Sequence, residues 1–275
     1  MNQSFGFNSI HGRMAALATG TGLANHNLLS IGVSGDGDTA SIGLGNFAHM
    51  VRRNLHMCYI VENNGVYGLT KGQFSATADK GSKLRKGSPN TIDAIDIVEF
   101  SIMMGATFVA RSFSGDRKQL TPLIKAALAH RGTAVLDVLS PCVTFNNHEG
   151  STKSLQYIRG NREPLNELDF ILEQEPVEVE YDEGSDLRVR MHEAGTIVLH
   201  KLKDHDPRDR ARSIGLLEEA KHQNRFLTGL LYIDEEQPDL AESENLTDTP
   251  LSYLTEAELR PSAKDLDEIN ASLML

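Results

Sequence analysis

An aspartate flanked by glycines is the first feature of the sequence that could do chemistry. Gly35, Asp36 and Gly37 follow residues 28–33, an apolar run typical of a buried strand. A glycine turn between a strand and a helix presents backbone N–H groups, and such turns bind phosphate. We therefore expect an anionic ligand beside Asp36.

The carboxylate of Asp36 conflicts with a phosphate at the same turn. Two such charges 4 Å apart repel by about 4 kcal/mol at an effective dielectric near 20. A divalent cation between them removes the conflict, and Mg²⁺ prefers oxygen ligands in octahedral geometry. Asn64 follows the next apolar run, residues 55–61, so its amide oxygen and the Val66 carbonyl can reach the same crevice. The sequence thus predicts a Mg²⁺ and diphosphate site at Asp36, Asn64 and Val66.

A nicotinamide dinucleotide is the alternative ligand for this turn. Gly35, Gly37 and Ala40 match a G-x-G-x-x-A pattern, and Glu62 could bind the ribose of such a ligand. The plain interpretation is that the glycine-flanked aspartate and the asparagine pair form two ordinary turns without a ligand.

The elements that must position these residues alternate along the first half of the chain. The predicted strands are residues 28–33, 55–61, 107–109 and 134–139, and the predicted helices are residues 39–53, 92–104 and 117–130. Such alternation indicates the α/β class, with a doubly wound, mostly parallel sheet and right-handed crossovers. These sheets bind ligands at the carboxyl ends of their strands, where Asp36 and Asn64 lie.

The pattern weakens after Pro141. We predict a strand at residues 195–202, a helix at 207–222, a strand at 226–233 and an extended arm or short helices from residue 250. The predicted domains are therefore a cofactor-binding α/β domain, residues 1–145, and a smaller C-terminal appendage, residues 146–275.

Composition and charge narrow the class of protein. The chain has 275 residues and a net charge of −11; residues 1–150 carry 13 Lys and Arg against 10 Asp and Glu, whereas residues 151–275 carry 14 against 28. This acidic excess argues against a nucleic-acid or anionic membrane partner. Cys58 and Cys142 are too few for a disulfide framework, and no signal peptide or membrane span is evident. We expect a cytoplasmic protein.

Several segments of the sequence are similar to a known family. The Gly-Asp-Gly triplet with Asn64 at its spacing, together with "GFNSIHGR", "YGLTKGQ" and "HEGSTKS", resembles the β subunit of the 2-oxoacid:ferredoxin oxidoreductases, of the 2-oxoglutarate type. The resemblance implies a thiamine diphosphate-binding fold and the oxidative decarboxylation of a 2-oxoacid with coenzyme A. The implied partners are an α subunit and ferredoxin. The implied cofactors are thiamine diphosphate, Mg²⁺ and, in the full-length protein, a [4Fe–4S] cluster.

The resemblance also implies roles for individual residues. His11 and Leu69 would line the reacting end of the cofactor. A separate hypothesis concerns Lys71, which lies five residues beyond Val66 in "LTKGQ", close enough for its ammonium group to pair with a substrate carboxylate. Cys142 would be one ligand of the cluster. The residues implied to bind thiamine diphosphate or its metal are Gly35, Asp36, Gly37, Asp38, Asn64, Val66 and Gly68.

The cysteine content departs from the family pattern. Its β subunits carry a C-x-x-C pair and a further cysteine before "GFNSIHGR", whereas this sequence begins close to that segment. One cysteine cannot hold a four-iron cluster, which normally takes four thiolates. We expect an N-terminally incomplete sequence. The alternatives are a subunit that has lost its cluster, and with it its activity, and a partner that supplies the missing ligands.

Overall fold

Helices and strands alternate through most of the described chain. The computed structural model describes residues 4–83, 88–171, 186–191 and 195–274. The helices in chain order are α1 Met14–Ala24, α2 Leu44–Arg52, α3 Ile97–Met104, α4 Arg117–Ala129, α5 Leu155–Asn161, α6 Arg210–His222, α7 Leu240–Ser243, α8 Glu256–Leu259 and α9 Ala263–Leu273. A π-helical turn, Asp38–Ile42, precedes α2. Among the residues described, no helix is long and apolar enough to cross a lipid bilayer.

The strands form one large sheet and two small ones. In chain order they are β1 Ser30–Gly35, β2 Met57–Asn63, β3 Val66–Tyr67, β4 Gln73–Phe74, β5 Phe108–Phe113, β6 Thr133–Leu139, β7 Arg162–Pro164, β8 Asn166–Ile171, β9 Asp186–Met191, β10 Gly195–Lys201 and β11 Phe226–Ile233. The large sheet has the order β1-β2-β6-β5-β11-β7. Its first four strands are parallel, and β11 pairs antiparallel with β5. The order β8-β10-β9 forms an antiparallel sheet of its own.

Both faces of the large sheet are covered. On one face α1, α2, α3 and α6 pack against the strands, with Phe47 and Ile102 buried at the centre. On the other face α4 and the β8–β10 sheet form a second core that includes Leu123 and Ile197. The mostly parallel, doubly wound α/β class predicted from the sequence is therefore confirmed.

The predicted elements differ from the observed ones mainly at their ends. Strands β1 and β2 begin and end two residues later than predicted, because apolar runs mark burial whereas strand pairing continues to Gly35 and Asn63. Strand β5 is twice as long as its predicted three residues, since the buried Arg111 interrupts the apolar pattern without ending the strand. Helix α3 begins late because Asp96 caps it by accepting the N–H groups of Val98 and Glu99.

The C-terminal part of the chain contributes to the large sheet. Strands β7 and β11 lie within the predicted appendage, residues 146–275, yet they form one side of that sheet. The β8–β10 sheet and the exposed α8 and α9 make up much of the remainder. The boundary at residues 145 and 146 stays a prediction, but the two parts share one sheet.

Candidate cofactor site

Most of the predicted site residues meet in one cleft at the carboxyl ends of β1 and β2. The cleft has a volume of about 670 Å³. It is lined by His11, Gly35, Asp36, Gly37, Asp38, Asn64, Val66, Gly68 and Leu69, and also by residues that include Phe7, Tyr67 and Thr70. Three separate segments of the chain therefore meet where parallel sheets bind ligands.

The carboxylate of Asp36 lies at the inner wall of the cleft and is only 1% exposed. Its Oδ1 accepts the N–H of Asn64 at 3.3 Å, and its Oδ2 accepts the N–H of Gly65 at 3.2 Å. The hydroxyls of Ser75 and Thr77 also donate to Oδ2. The glycine-flanked aspartate thus holds the turn that follows β2, which explains why the two motifs occur together.

The turn after β2 is fixed from both sides. Asn64 Oδ1 accepts the N–H of Val66 at 3.0 Å, and Gly65 between them has a φ of +74°, which favours glycine. The Asn64 carbonyl accepts a hydrogen bond from the Asn146 side chain at 2.7 Å. These contacts leave the Asn64 amide at the cleft with its oxygen engaged only by a local backbone N–H.

Asn63, the first asparagine of the pair, has a different role. It is the last residue of β2, so its side chain lies on the other side of the strand from that of Asn64. Its amide nitrogen donates to Asp137 Oδ1 at 2.9 Å, and its amide oxygen lies 3.0 Å from the Thr77 hydroxyl. Asn63 is buried and does not line the cleft.

Asp38 joins the turn after β1 to the segment before α1. Its Oδ1 accepts the N–H of Gly12 at 2.9 Å and lies 2.8 Å from His11 Nδ1, while its Oδ2 accepts the Ser34 hydroxyl at 2.7 Å. Gly12 has a φ of +72°, and a Cβ on it would lie 2.8 Å from the backbone nitrogen of Gly43. The "IHGR" segment is therefore seated directly on the turn, with the His11 ring at the cleft.

The turn after β1 has the features of a site that binds an anion. Gly37 precedes the π-helical turn Asp38–Ile42, and no side chain caps that turn. Uncapped N–H groups at the start of a helical segment need an external acceptor, and π-helical turns occur frequently at functional sites. The binding of a phosphate group by the backbone of Gly37 and Asp38 is compatible with this turn and stays a prediction.

The "YGLTKGQ" segment forms a tight loop at the mouth of the cleft. The N–H of Gly72 donates to the Tyr67 carbonyl at 2.9 Å, and the Tyr67 hydroxyl donates to the Gly37 carbonyl at 3.2 Å. Leu69 is 91% exposed. Lys71 has a φ of +78°, a conformation that costs a residue other than glycine about 1–3 kcal/mol. Lys71 is exposed and lies outside the cleft lining, so the structure does not place it against the other site residues.

The two cysteines have unlike surroundings. Burial raises the pKa of Cys58 in β2 to about 12, which makes it an inert core residue. Cys142 is partly exposed and lies beside Gly68, where an added Cβ would stand 3.6 Å from its sulfur. Cys142 thus lies next to the cleft, shortly after the end of β6 at Leu139. Its role as a cluster ligand stays a prediction.

The donor set of the cleft suits Mg²⁺. No group of three or more His, Cys, Asp or Glu side chains converges among the described residues. The cleft instead offers one carboxylate, from Asp36, together with the neutral oxygens of Asn64 and Val66. A Mg²⁺ ion is typically bound by one or two carboxylates plus substrate phosphates and waters. The predicted set fits that chemistry.

Three side chains that support the cleft were not among the site residues predicted from the sequence. Ser75, Thr77 and Asn146 each donate to the Asp36 carboxylate or to the Asn64 turn. Ser75 and Thr77 lie in a turn, where the N–H of Ala78 donates to the Ser75 carbonyl at 3.1 Å, so no strand or helix period marks them in the sequence. Asn146 gives no signal either, since it comes from a segment far along the chain.

One protein family matches the part of the chain that forms the cleft. Residues 2–138 match the family described as thiamine pyrophosphate enzyme, C-terminal TPP binding domain. This region includes β1, β2 and every residue that lines the cleft. Residues 2–138, just under half of the chain, are therefore similar to a thiamine pyrophosphate-binding domain, in keeping with the fold and the cleft.

Individual proteins with similar sequences indicate a more specific relationship. The chain is 47% identical over 143 residues to "2-oxoacid:ferredoxin oxidoreductase subunit beta" of Sulfolobus sp, covering 52% of this chain and 47% of that protein. It is 42% identical over 156 residues to "2-oxoglutarate oxidoreductase subunit KorB" of Mycobacterium tuberculosis, covering 56% and 41%. The chain is a relative of the 2-oxoacid:ferredoxin oxidoreductase β subunits, and it spans about half the length of those curated relatives.

A solved structure supports the same relationship over nearly the whole chain. The 2-oxoglutarate:ferredoxin oxidoreductase from Magnetococcus marinus, with 2-oxoglutarate, coenzyme A and succinyl-CoA bound, matches with a TM-score of 0.66 and 29% identity. The match covers 95% of this chain and 73% of that chain. The predicted resemblance and the thiamine diphosphate-binding fold are thus confirmed.

Proposed function

We propose that this chain is the β subunit of a thiamine diphosphate-dependent 2-oxoacid:ferredoxin oxidoreductase. The reaction is the oxidative decarboxylation of a 2-oxoacid, with 2-oxoglutarate as the favoured substrate, to an acyl-CoA and CO₂, and its electrons pass to ferredoxin. The observation that carries the proposal is the meeting of the Gly-Asp-Gly turn, the Asn64 turn and the "IHGR" segment in one cleft. The curated relatives and the solved structure carry names for this same activity.

The chain's own residues would hold the cofactor and its metal. Asp36, Asn64 and the Val66 carbonyl would bind Mg²⁺, and the N–H groups of Gly37 and Asp38 would bind the diphosphate. When bound, thiamine diphosphate supplies the nucleophilic carbon that the side chains of amino acids lack. Gly35 and Gly68, which line the cleft without side chains, would leave room for the cofactor.

His11 and Leu69 would act at the reacting end of the cofactor. In neutral His11, an Nδ1–H donated to Asp38 leaves Nε2 as the acceptor for a hydrogen bond or a proton. The exposed Leu69 would help to exclude water from the reaction once a partner covers the cleft. Lys71 lies two residues beyond Leu69, and we propose that it pairs with the distal carboxylate of a bound 2-oxoacid.

Apolar side chains around the cleft support an α-subunit partner. Phe7, Val33 and Leu69 all line the cleft and are 74%, 57% and 91% exposed. Contiguous exposed apolar groups mark interaction surfaces in soluble proteins. We propose that the α subunit covers this face.

Two alternatives remain distinct from this proposal. A nicotinamide dehydrogenase would use Gly35, Gly37, Ala40 and Glu62, but none of the relatives described above carries such a name. A non-catalytic subunit would keep the fold and lack an electron path, because Cys142 alone cannot bind a [4Fe–4S] cluster. Adding the family's upstream cysteine segment and measuring 2-oxoglutarate-dependent viologen reduction with the α subunit separates this alternative from an active subunit.

Calorimetric titration of the chain with thiamine diphosphate tests the cofactor assignment. We expect binding in the presence of Mg²⁺ and its loss on addition of EDTA, because the metal neutralises the repulsion between the diphosphate and Asp36. NADH fluorescence serves as the parallel measurement. A change in NADH fluorescence without metal, combined with no binding of thiamine diphosphate, would overturn the proposal.

A further inference from the structure

The two oxygens of the Asp36 carboxylate have unequal surroundings. Oδ2 accepts three hydrogen bonds, from the N–H of Gly65 and the hydroxyls of Ser75 and Thr77. Among the residues that the structure describes, Oδ1 accepts one hydrogen bond, a 3.3 Å contact from the N–H of Asn64. Because a carboxylate has about four lone-pair sites in total, Oδ2 is saturated and Oδ1 has capacity left for a further partner.

The two hydroxyls that saturate Oδ2 are themselves fixed. Ser75 and Thr77 are buried, and their oxygens lie 3.1 Å apart. The Thr77 oxygen lies 3.0 Å from Asn63 Oδ1, and Asn63 in turn donates to Asp137. These contacts hold both hydroxyls beside Oδ2.

The contacts continue into the core of the sheet. Asp137 in β6 is fully buried, and its Oδ2 accepts the Arg111 Nε at 2.8 Å. Because the single hydroxyl hydrogen of Thr77 is shared between Asp36 Oδ2 and Asn63 Oδ1, the polar side chains from Asp36 to Arg111 are in continuous contact across three neighbouring strands of the large sheet. Hydrogen bonds of this kind to a charged group are short and strong, so they fix the orientation of the carboxylate plane.

We propose that Ser75 and Thr77 are positioning residues that make Asp36 a ligand through Oδ1 alone and thereby favour Mg²⁺ over Ca²⁺. This inference rests on the proposed function, because it concerns the metal that accompanies thiamine diphosphate. Mg²⁺ demands near-ideal octahedral geometry, whereas Ca²⁺ accepts six to eight ligands and can bind a carboxylate through one oxygen or through both. A carboxylate with one oxygen left to bind a metal suits the smaller ion, Mg²⁺. Releasing Oδ2 would allow both oxygens to reach a metal and would suit the larger ion.

The test is the metal selectivity of the full 275-residue chain. Thiamine diphosphate is titrated calorimetrically into the wild type and into the double variant Ser75→Ala/Thr77→Val, once with Mg²⁺ and once with Ca²⁺ as the added ion. We expect the Mg²⁺-supported affinity of the double variant to fall by about 10–100-fold, the usual effect of losing outer-shell partners of a metal ligand. The Ca²⁺-supported affinity should fall by much less, so the ratio of the two affinities shifts.

Two further variants serve as controls. Thr77→Ser keeps the hydroxyl and should keep the wild-type ratio of Mg²⁺- to Ca²⁺-supported affinity. Thr107→Val removes an equally buried threonine hydroxyl, which bonds to Asn54 and His130 away from the cleft, and should also leave the ratio unchanged. Ser75→Ala alone gives the same direction of change with less disturbance of the core, should the double variant fail to fold.

The outcomes separate the inference from the proposed function. The positioning role is overturned if the ratio of Mg²⁺- to Ca²⁺-supported affinity is unchanged in both Ser75→Ala and the double variant. In that case the metal-dependent binding of thiamine diphosphate by the wild type still stands. Wild-type affinity for thiamine diphosphate in an Asp36→Asn variant, or no binding by the wild-type chain with either ion, overturns the metal site and the inference with it.

Discussion

Asp36 is the residue on which the arrangement of the cleft depends. Its carboxylate contacts the backbone of Asn64 and Gly65 and the hydroxyls of Ser75 and Thr77, although it comes from a different strand and turn. Four hydrogen-bond donors thus converge on this one carboxylate, which is the group that we propose as the main metal ligand of the cleft.

Replacing Asp36 should therefore harm cofactor binding far more than replacing Lys71. In Asp36→Ala we expect a loss of Mg²⁺-dependent thiamine diphosphate affinity above the roughly 10–100-fold typical of outer-shell partners, because a metal ligand itself is removed. In Lys71→Ala the affinity should change by less than about threefold, since surface charges contribute little. Titration calorimetry measures both, and equal affinities in the two variants would contradict the assignment of Asp36.

The role proposed for Lys71 can be tested separately by substrate preference. With the α subunit present, Lys71→Ala should raise the KM for 2-oxoglutarate by about tenfold or more and that for pyruvate much less, because a hydrogen bond between charged groups contributes about 1.5–3 kcal/mol. Lys80→Ala is the control, as Lys80 is an exposed lysine paired with Asp93. Similar changes for both acids would mean that Lys71 does not contact the distal carboxylate.

Sequence motifs predicted the residues that line the cleft but not those that support them. Asp36, Asn64 and His11 stand in motifs whose residue types indicate their chemistry, and the structure places all three in one cleft. Asn63 was grouped with Asn64, yet it faces the core, because β2 runs two residues further than its apolar pattern. The contacts of Asn146 depend on tertiary folding over about half the chain, and no local pattern encodes them.

At the scale of elements, a buried ion-pair cluster joins α3, β5 and β6. Arg111 in β5 contacts Asp137 in β6 and the cap residue of α3, Asp96. Burial by itself would raise the pKa of Asp96, but the Arg111 guanidinium and the N–H of Glu99 outweigh it and hold that pKa below its ordinary value. The cluster thus fixes the start of α3 against the middle of the sheet.

Arg111→Met should destabilise the fold by about 3–5 kcal/mol at neutral pH, because it leaves two carboxylates without their cation in the core. A carboxyl group with a lowered folded pKa stabilises above its unfolded pKa, about 3.9, and that contribution is lost as the pH falls through the folded value. The difference in the free energy of unfolding between wild type and variant should therefore become smaller below about pH 4. Urea unfolding at pH 7 and below pH 4 measures it.

The control for this prediction is an exposed ion pair. Arg131 lies 3.1 Å from Glu242, and both side chains are about half exposed. Arg131→Met should change the free energy of unfolding by no more than about 1 kcal/mol at either pH. A loss in Arg111→Met as small as this, or one independent of pH, would show that the cluster contributes little to stability.

Element prediction succeeded where the apolar pattern was continuous and failed where buried polar residues broke it. Strand β11, "FLTGLLYI", was predicted with its observed ends, and α4 differed by a single residue. Strand β5 was predicted three residues too short, because Arg111 and Ser112 do not look like core residues. The pairing of β11 with β5 was not predictable, since it joins strands more than a hundred residues apart.

At the scale of the whole molecule, the large sheet unites the first and last parts of the chain. Strands β11 and β7 complete its far side, and β11 is almost wholly buried. The predicted boundary after residue 145 therefore separates parts that pack as one structure. What the sequence indicated as an appendage is in part the completion of the core.

A fragment of residues 1–145 should fail to fold by itself. Without β11 it would expose the edge of β5 and the apolar faces that pack on Leu230 and Leu231, which are fully buried in the whole chain. We expect no cooperative thermal transition by circular dichroism, whereas the full chain should show one. A cooperative transition in the fragment would instead support the predicted boundary.

The late position of β11 in the chain has a consequence during biosynthesis. A ribosome releases residues in order at roughly 5–20 per second, so about 5–20 s pass between the emergence of β6 and that of β11. Throughout that interval the hydrogen-bonding edge of β5 is open to other nascent strands.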